Sequence, residues 1–91
     1  MNTRAHVIFK GRVQGVWFRA HTKGKADEME VTGWVRNNPD GSVETVFEGP
    51  EESVKAVIDW CQTSQPHAIV SAVEVQWKGF SGGFQGFDIR H

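Results

Sequence analysis

From Gly11 to Arg19 the chain reads Gly-Arg-Val-Gln-Gly-Val-Trp-Phe-Arg, two glycines and two arginines between an apolar strand pattern and a helical segment. A turn of this composition can aim several backbone N–H groups, a helix N-terminus and a guanidinium at one point. That is the chemistry of a phosphate or small-anion cradle. The same residues would also serve as a plain strand-to-helix connection whose glycines admit positive φ. Two common nucleotide loops are excluded by the spacing. Gly11-x-x-x-Gly15 lacks the third glycine of the dinucleotide fingerprint, and no Gly-Lys-Ser/Thr follows.

Charge is placed in a way that suits an anionic ligand. The net charge of −1 is too near neutral for a general nucleic-acid surface. Residues 1–36, however, hold seven bases against three acids, and residues 37–91 hold three bases against eight acids. The basic part contains the Gly11–Arg19 stretch, although ordinary surface Lys and Arg could produce the same asymmetry. Elsewhere the chemistry-bearing residues read as structure. Cys61 is the only cysteine, so no intramolecular disulfide can form. It sits at helical spacing with Val54, Val57 and Ile58, which suits a small buried thiol rather than a nucleophile. His6, His21, His67 and His91 are scattered with no Cys/His cluster, so no metal site is expected. Asp27, Glu28 and Glu30 read as a solvated face and helix end, and Trp34 and Trp77 as packing residues.

Ninety-one residues make one domain, 1–91, with a core of modest size. Apolar residues are 38% and aromatics number six Phe and four Trp, too many for a disordered chain. No apolar run approaches the roughly 20 residues of a membrane span. Met1-Asn2-Thr3-Arg4 leads straight into a strand pattern without a signal-peptide core, so the expected compartment is the cytoplasm.

The elements that must position the cradle follow from periodicity. Ala5, Val7 and Phe9 alternate with His6, Ile8 and Lys10, a strand with one buried face. A first helix is expected from near Phe18, with Phe18, Thr22, Ala26 and Met29 along one face. Gly24 inside it costs about 1 kcal/mol relative to alanine. Val31–Asn37 and Ser42–Glu48 form two alternating runs around Asn38-Pro39-Asp40-Gly41, a hairpin signal. Gly49-Pro50-Glu51-Glu52 opens a second helix, with Pro suited to the first turn and two acids at the positive end of the dipole. Pro66 marks its end. Val70–Lys78 places Val73, Val75 and Trp77 on one strand face, Gly79–Gly83 is a loop, and Phe87–Arg90 is a short last strand. The order β-α-β-β-α-β plus a final strand is an α+β split βαβ pattern, an antiparallel sheet with two helices on one face.

The string Gly11-Arg12-Val13-Gln14-Gly15-Val16-x-Phe18-Arg19 closely resembles the signature of the acylphosphatases, small metal-independent enzymes that hydrolyse acyl phosphates. A second stretch, Gly33-Trp-Val-Arg-Asn-Asn-Pro-Asp-Gly41, is similar to that family's Gly-Trp-Val-x-Asn followed by a turn. The resemblance covers essentially the whole chain and implies a ferredoxin-like sandwich. It implies that Arg19 holds the phosphoryl group together with the backbone amides of Gln14, Gly15, Val16, Trp17 and Phe18. Guanidinium suits the task because it donates paired hydrogen bonds and stays charged. Asn37 matches the family's catalytic asparagine. Its carbonyl can accept from a water while its NH₂ donates to a phosphoryl oxygen. A salt bridge for Arg19 and an Asx turn for Asn37 are the structural alternatives. The implied substrate is a small acyl phosphate, with no cofactor, no metal and no nucleic acid or membrane partner, acting as a monomer.

Arg12, at the mouth of the loop, suits steering or surface pairing, and Trp17 can shape the site entrance. Two departures stand out. Glu30 occupies a helix end where the family commonly has glycine, at a cost of about 1 kcal/mol for a left-handed residue. His91 stands where many relatives end in Tyr. A non-catalytic acyl- or carbamoyl-phosphate-binding domain is the alternative function. An RNA-binding module is disfavoured because Ser42–Glu48 lacks the aromatic pattern such modules carry.

Overall fold

Alternation along β1 (Asn2–Arg12) decides which side of the sheet becomes the core, because Ala5, Val7 and Phe9 are wholly shielded while their neighbours are not. The computed structural model describes residues 1–91. After β1 come α1 (Phe18–Glu28), β2 (Thr32–Asn37), β3 (Val43–Pro50), α2 (Glu51–Thr63), β4 (Ile69–Lys78) and β5 (Phe87–Arg90). The strands lie in the order β4-β1-β3-β2-β5. Register sets Ala5 opposite Phe47, Val7 opposite Thr45 and Phe9 opposite Val43. These side chains meet Phe18, Thr22 and Ala26 of α1 and Val54, Val57, Ile58 and Cys61 of α2 in one core. The rings of Phe9 and Phe18 pack at 5.2 Å, tying the central strand to the start of α1. Burial pushes the Cys61 thiol up, so this cysteine is a core residue beside Thr22.

The expected ferredoxin-like α+β arrangement holds, with one difference in the sheet. Four strands are antiparallel, but β5 pairs with β2 in parallel, and the five-stranded sheet is mixed. The cause is the path after β4, which occupies the opposite edge. The loop of residues 79–86 crosses the open face of the sheet to reach β2, so β5 arrives running the other way. Glu48 anchors that crossing. Its buried carboxylate accepts from the N–H and hydroxyl of Ser81 at 2.9 and 2.8 Å and from the N–H of Gly82 at 3.1 Å. Arg4 approaches the same carboxylate at 3.7 Å and covers the Phe84 ring. Burial alone would raise the Glu48 pKa, but these donors outweigh it and hold the group below the ordinary glutamate value.

Gly33 is required on β2 by close approach. A Cβ there would lie 1.8 Å from the carbonyl oxygen of Val46, and its φ is +136°. The tryptophans expected in packing lie outside the core. Trp77, on edge strand β4, is 47% exposed, with the Lys55 ammonium of α2 over its ring at 5.9 Å, and Val75 on the same strand is also exposed. Trp34 is half-buried on the open face, with the Arg90 and Arg36 guanidinium carbons 4.6 and 5.4 Å from its ring centre. No helix is long and apolar enough to cross a membrane.

The end of α1 is a Schellman arrangement. Val31 N–H bonds the carbonyl of Ala26 at 2.8 Å and Glu30 N–H that of Asp27 at 3.2 Å. Glu30 is therefore left-handed, with φ 57°, as its position in the sequence implies. The exposed side chain gains nothing from this conformation. Glu30→Gly is expected to raise unfolding stability in denaturant by up to about 1 kcal/mol, the left-handed cost less the added unfolded-state entropy of glycine.

A second expectation concerns acid. A carboxyl held below its ordinary value contributes stability above that value and loses it as the pH falls through the lowered one. Glu48→Gln should cost about 1–3 kcal/mol at pH 7. It should also flatten part of the stability loss between about pH 5 and 3. Denaturant unfolding of both proteins across that range checks it.

Candidate functional site

Where β1 hands over to α1, the backbone is forced into a tight reversal. Gly15 has φ 73° and Trp17, the residue before the helix, has φ 61° and ψ 22°. A Cβ on Gly15 would meet nothing within 4 Å, so glycine is needed there for its backbone angle, not for space. Trp17 accepts the left-handed angle while 76% exposed, at a cost of about 1–2 kcal/mol that its own side chain does not recover. The loop is held by its buried members instead, Val13, Val16 and Phe18.

The reversal leaves the start of α1 uncapped. His21 N–H makes the first helical bond, to Trp17 O at 3.0 Å, and no side chain caps the turn or places a carboxylate there. The N–H groups of Phe18, Arg19 and Ala20 therefore keep their hydrogens free, at the positive end of the helix dipole. They border a pocket of about 410 Å³ whose wall includes Val13, Gly15, Trp17, Phe18, Arg19, Ala20, Asn37, Ile89 and His91.

Arg19 enters no ion pair in the molecule. Its Nη1 donates to the carbonyl of Arg90 at 3.1 Å and to Nδ1 of His91 at 3.2 Å. A guanidinium only donates, so in this contact Nδ1 of His91 is the acceptor. The arginine is thus aimed by a carbonyl and a ring nitrogen, and no carboxylate cancels its charge.

Asn37 reaches the pocket through strand period. Gly33, Val35 and Asn37 share the core face of β2, and Asn37 is the last of the three, where the apolar layer ends beside α1. Its Oδ1 is buried without a hydrogen-bond partner. The side-chain bonds of the following turn are made by others. Asp40 Oδ1 accepts from Ser42 N–H at 2.9 Å and from its hydroxyl at 2.6 Å, and Asn38 Nδ2 donates to Ser42 Oγ at 3.1 Å. The Ser42 hydroxyl and N–H hold the Asp40 carboxyl below its ordinary value.

Of the residues singled out in the sequence, Gly15, Trp17, Phe18, Arg19 and Asn37 come together on the pocket wall. Val16 is buried below the loop, and the Gln14 side chain turns away to the carbonyls of Asn38 and Ser42. Arg12 is exposed and unpaired at the end of β1. Ile89 was not anticipated in the wall, whereas the resemblance implied a C-terminus, His91, close to the cradle, and His91 lines it. The alternation Phe87, Ile89, His91 hints at a shared face, but only the parallel docking of β5 on β2 brings that face to the pocket.

Comparison with known proteins gives a consistent result. The acylphosphatase family model matches residues 5–89. An acylphosphatase of Haloquadratum walsbyi is 53% identical over 88 residues, covering 97% of this chain and 94% of that protein. One from Syntrophus aciditrophicus is 51% identical over 89 residues, covering 98% and 93%. The crystal structure of acylphosphatase from Bacillus subtilis matches over 100% of both chains with a TM-score of 0.93 at 33% identity.

Proposed function

The chain belongs to the acylphosphatase family, and from that premise we propose that it hydrolyses the carboxyl–phosphate bond of small acyl phosphates to carboxylate and inorganic phosphate. One observation carries the mechanism. A charge-uncancelled Arg19, an uncapped helix start and the partnerless carbonyl of Asn37 share one pocket.

In this reading Arg19 and the backbone N–H groups of the loop from Gln14 to Phe18 hold the phosphoryl oxygens. Asn37 Oδ1 accepts a hydrogen from water and aims its oxygen at phosphorus. The water oxygen bonds phosphorus as the bond to the acyl oxygen breaks, the electron pair leaves on the carboxylate, and the phosphoryl group itself takes the water proton. A carboxylate is a good leaving group, so positioning and charge stabilisation suffice. The pocket wall holds no carboxylate to act as general base, and Nδ1 of His91 already accepts from Arg19. The reaction asks for no metal and no cofactor. All the named groups come from one chain, which fits action as a monomer, and a cytoplasmic location belongs to the same proposal.

Arg19 meets ground state and transition state alike, whereas Asn37 acts on the water. Arg19→Gln should therefore weaken inorganic phosphate binding and lower kcat together. Asn37→Ala should lower kcat on benzoyl phosphate by about 10²- to 10³-fold with phosphate affinity nearly unchanged. Calorimetry with phosphate and turnover of each variant, with circular dichroism as the folding control, make the comparison. A folded Asn37→Ala with near-normal turnover would remove the water-positioning role. Activity is also expected to survive exhaustive EDTA treatment, and its loss with restoration by a divalent ion would overturn the metal-free route.

A further inference from the structure

Arg19 and Asn37 reach the pocket from strands that are not neighbours. The cradle loop leaves β1 and Asn37 closes β2, with β3 between them. No backbone ladder sets the spacing between loop and asparagine directly. One side chain does join them. Gln14, within the cradle loop, donates both hydrogens of its Nε2 across the gap, to the carbonyl of Asn38 at 2.8 Å and to that of Ser42 at 2.9 Å. Asn38 follows Asn37 directly, and Ser42 begins the return into β3.

The turn does not need Gln14 for its own shape. Asn38 N–H closes it on Ser42 O at 2.9 Å, and Gly41 N–H bonds Asn38 O at 3.1 Å. Asp40, Asn38 and Ser42 side chains brace it from within. What Gln14 adds is the link from a self-sufficient turn to the loop that cradles the anion. A primary amide is well suited to that link, since a single nitrogen offers two donors to two carbonyls.

We propose that Gln14 is a positioning residue, whose side-chain amide ties the cradle to the Asn38–Ser42 turn and so holds Asn37 at the distance from the phosphoryl group that attack by water requires. The proposal rests on the reading of Asn37 as the water-orienting group. Its consequence is specific. Loss of the tie leaves the backbone amides and Arg19 in place to bind phosphate, while the water loses its alignment, a fault that can cost about 10²-fold for a displacement near 1 Å.

The test uses Gln14→Met, similar in length but without a donor, and Gln14→Ala, each alone and combined with Asn37→Ala. Turnover of benzoyl phosphate, calorimetric affinity for inorganic phosphate and thermal unfolding are measured for all. The expected result is a kcat about 10- to 100-fold down in each single variant. Phosphate affinity should stay within about 3-fold of the parent, less than one ordinary hydrogen bond would change it. Adding either Gln14 change to Asn37→Ala should lower kcat no further, because a group acting through Asn37 has nothing left to act on. A normal kcat, a parallel fall in phosphate affinity, or an undiminished loss in the Asn37→Ala background would each overturn the proposal. Loss of folding in both Gln14 variants would mark a structural residue and overturn it too. If Asn37→Ala alone is fully active, the water-positioning reading fails and takes this one with it. If Asn37→Ala is impaired and the cycle is additive, only the role of Gln14 falls.

Discussion

An α-helix cannot satisfy its own first N–H groups, and in α1 nothing else in the protein satisfies them. The pocket is built around that deficit. Its cost is met beneath the loop, where Val13, Val16 and Phe18 are buried and the Phe9–Phe18 ring contact fixes the helix start to the central strand. A left-handed Trp17 with an exposed indole is tolerated because these apolar anchors determine the path of the chain on both sides of it.

The opposite face of the sheet contributes at a distance. Glu48 gathers the crossing loop through Ser81 and Gly82, and that loop delivers β5 to the edge of β2. Lys23 secures β5 from the helix side, donating to the carbonyl of Phe87 at 2.9 Å. Arg90 and His91 then supply the acceptors that aim Arg19. A buried carboxylate on one face therefore supports the orientation of a guanidinium on the other. Near it, Glu44 is held below its usual value by His6 first and by Arg36 as well, bracing the same open face.

The positive charge of Arg19 is left uncompensated by any carboxylate of the protein. Most other basic side chains of the first third are paired, Arg4 with Glu48, Lys10 with Glu74, Lys23 with Asp27 and Lys25 with Glu28. The Arg90 carbonyl and the His91 Nδ1 orient the guanidinium, and no carboxylate offsets its charge. Asn37 complements it with an acceptor that no protein donor reaches.

Much of this was legible in the chain itself. Local patterns determined the strand of Ala5, Val7 and Phe9, the buried face of α1 and the turn at Asn38–Gly41, because each depends on periodicity or on the backbone freedom of nearby residues, while the left-handed Glu30 was implied by the family resemblance. The resemblance carried by the two motifs singled out Gly15, Arg19 and Asn37, and their residue types suit the chemistry it implies. Tertiary structure alone decided the rest. The parallel docking of β5, the exposure of Trp77 on an uncovered edge, the turn of Gln14 away from the pocket and the seat of His91 beside Arg19 all join residues far apart in the chain. Such contacts depend on which strand lies beside which, and no local propensity encodes that choice.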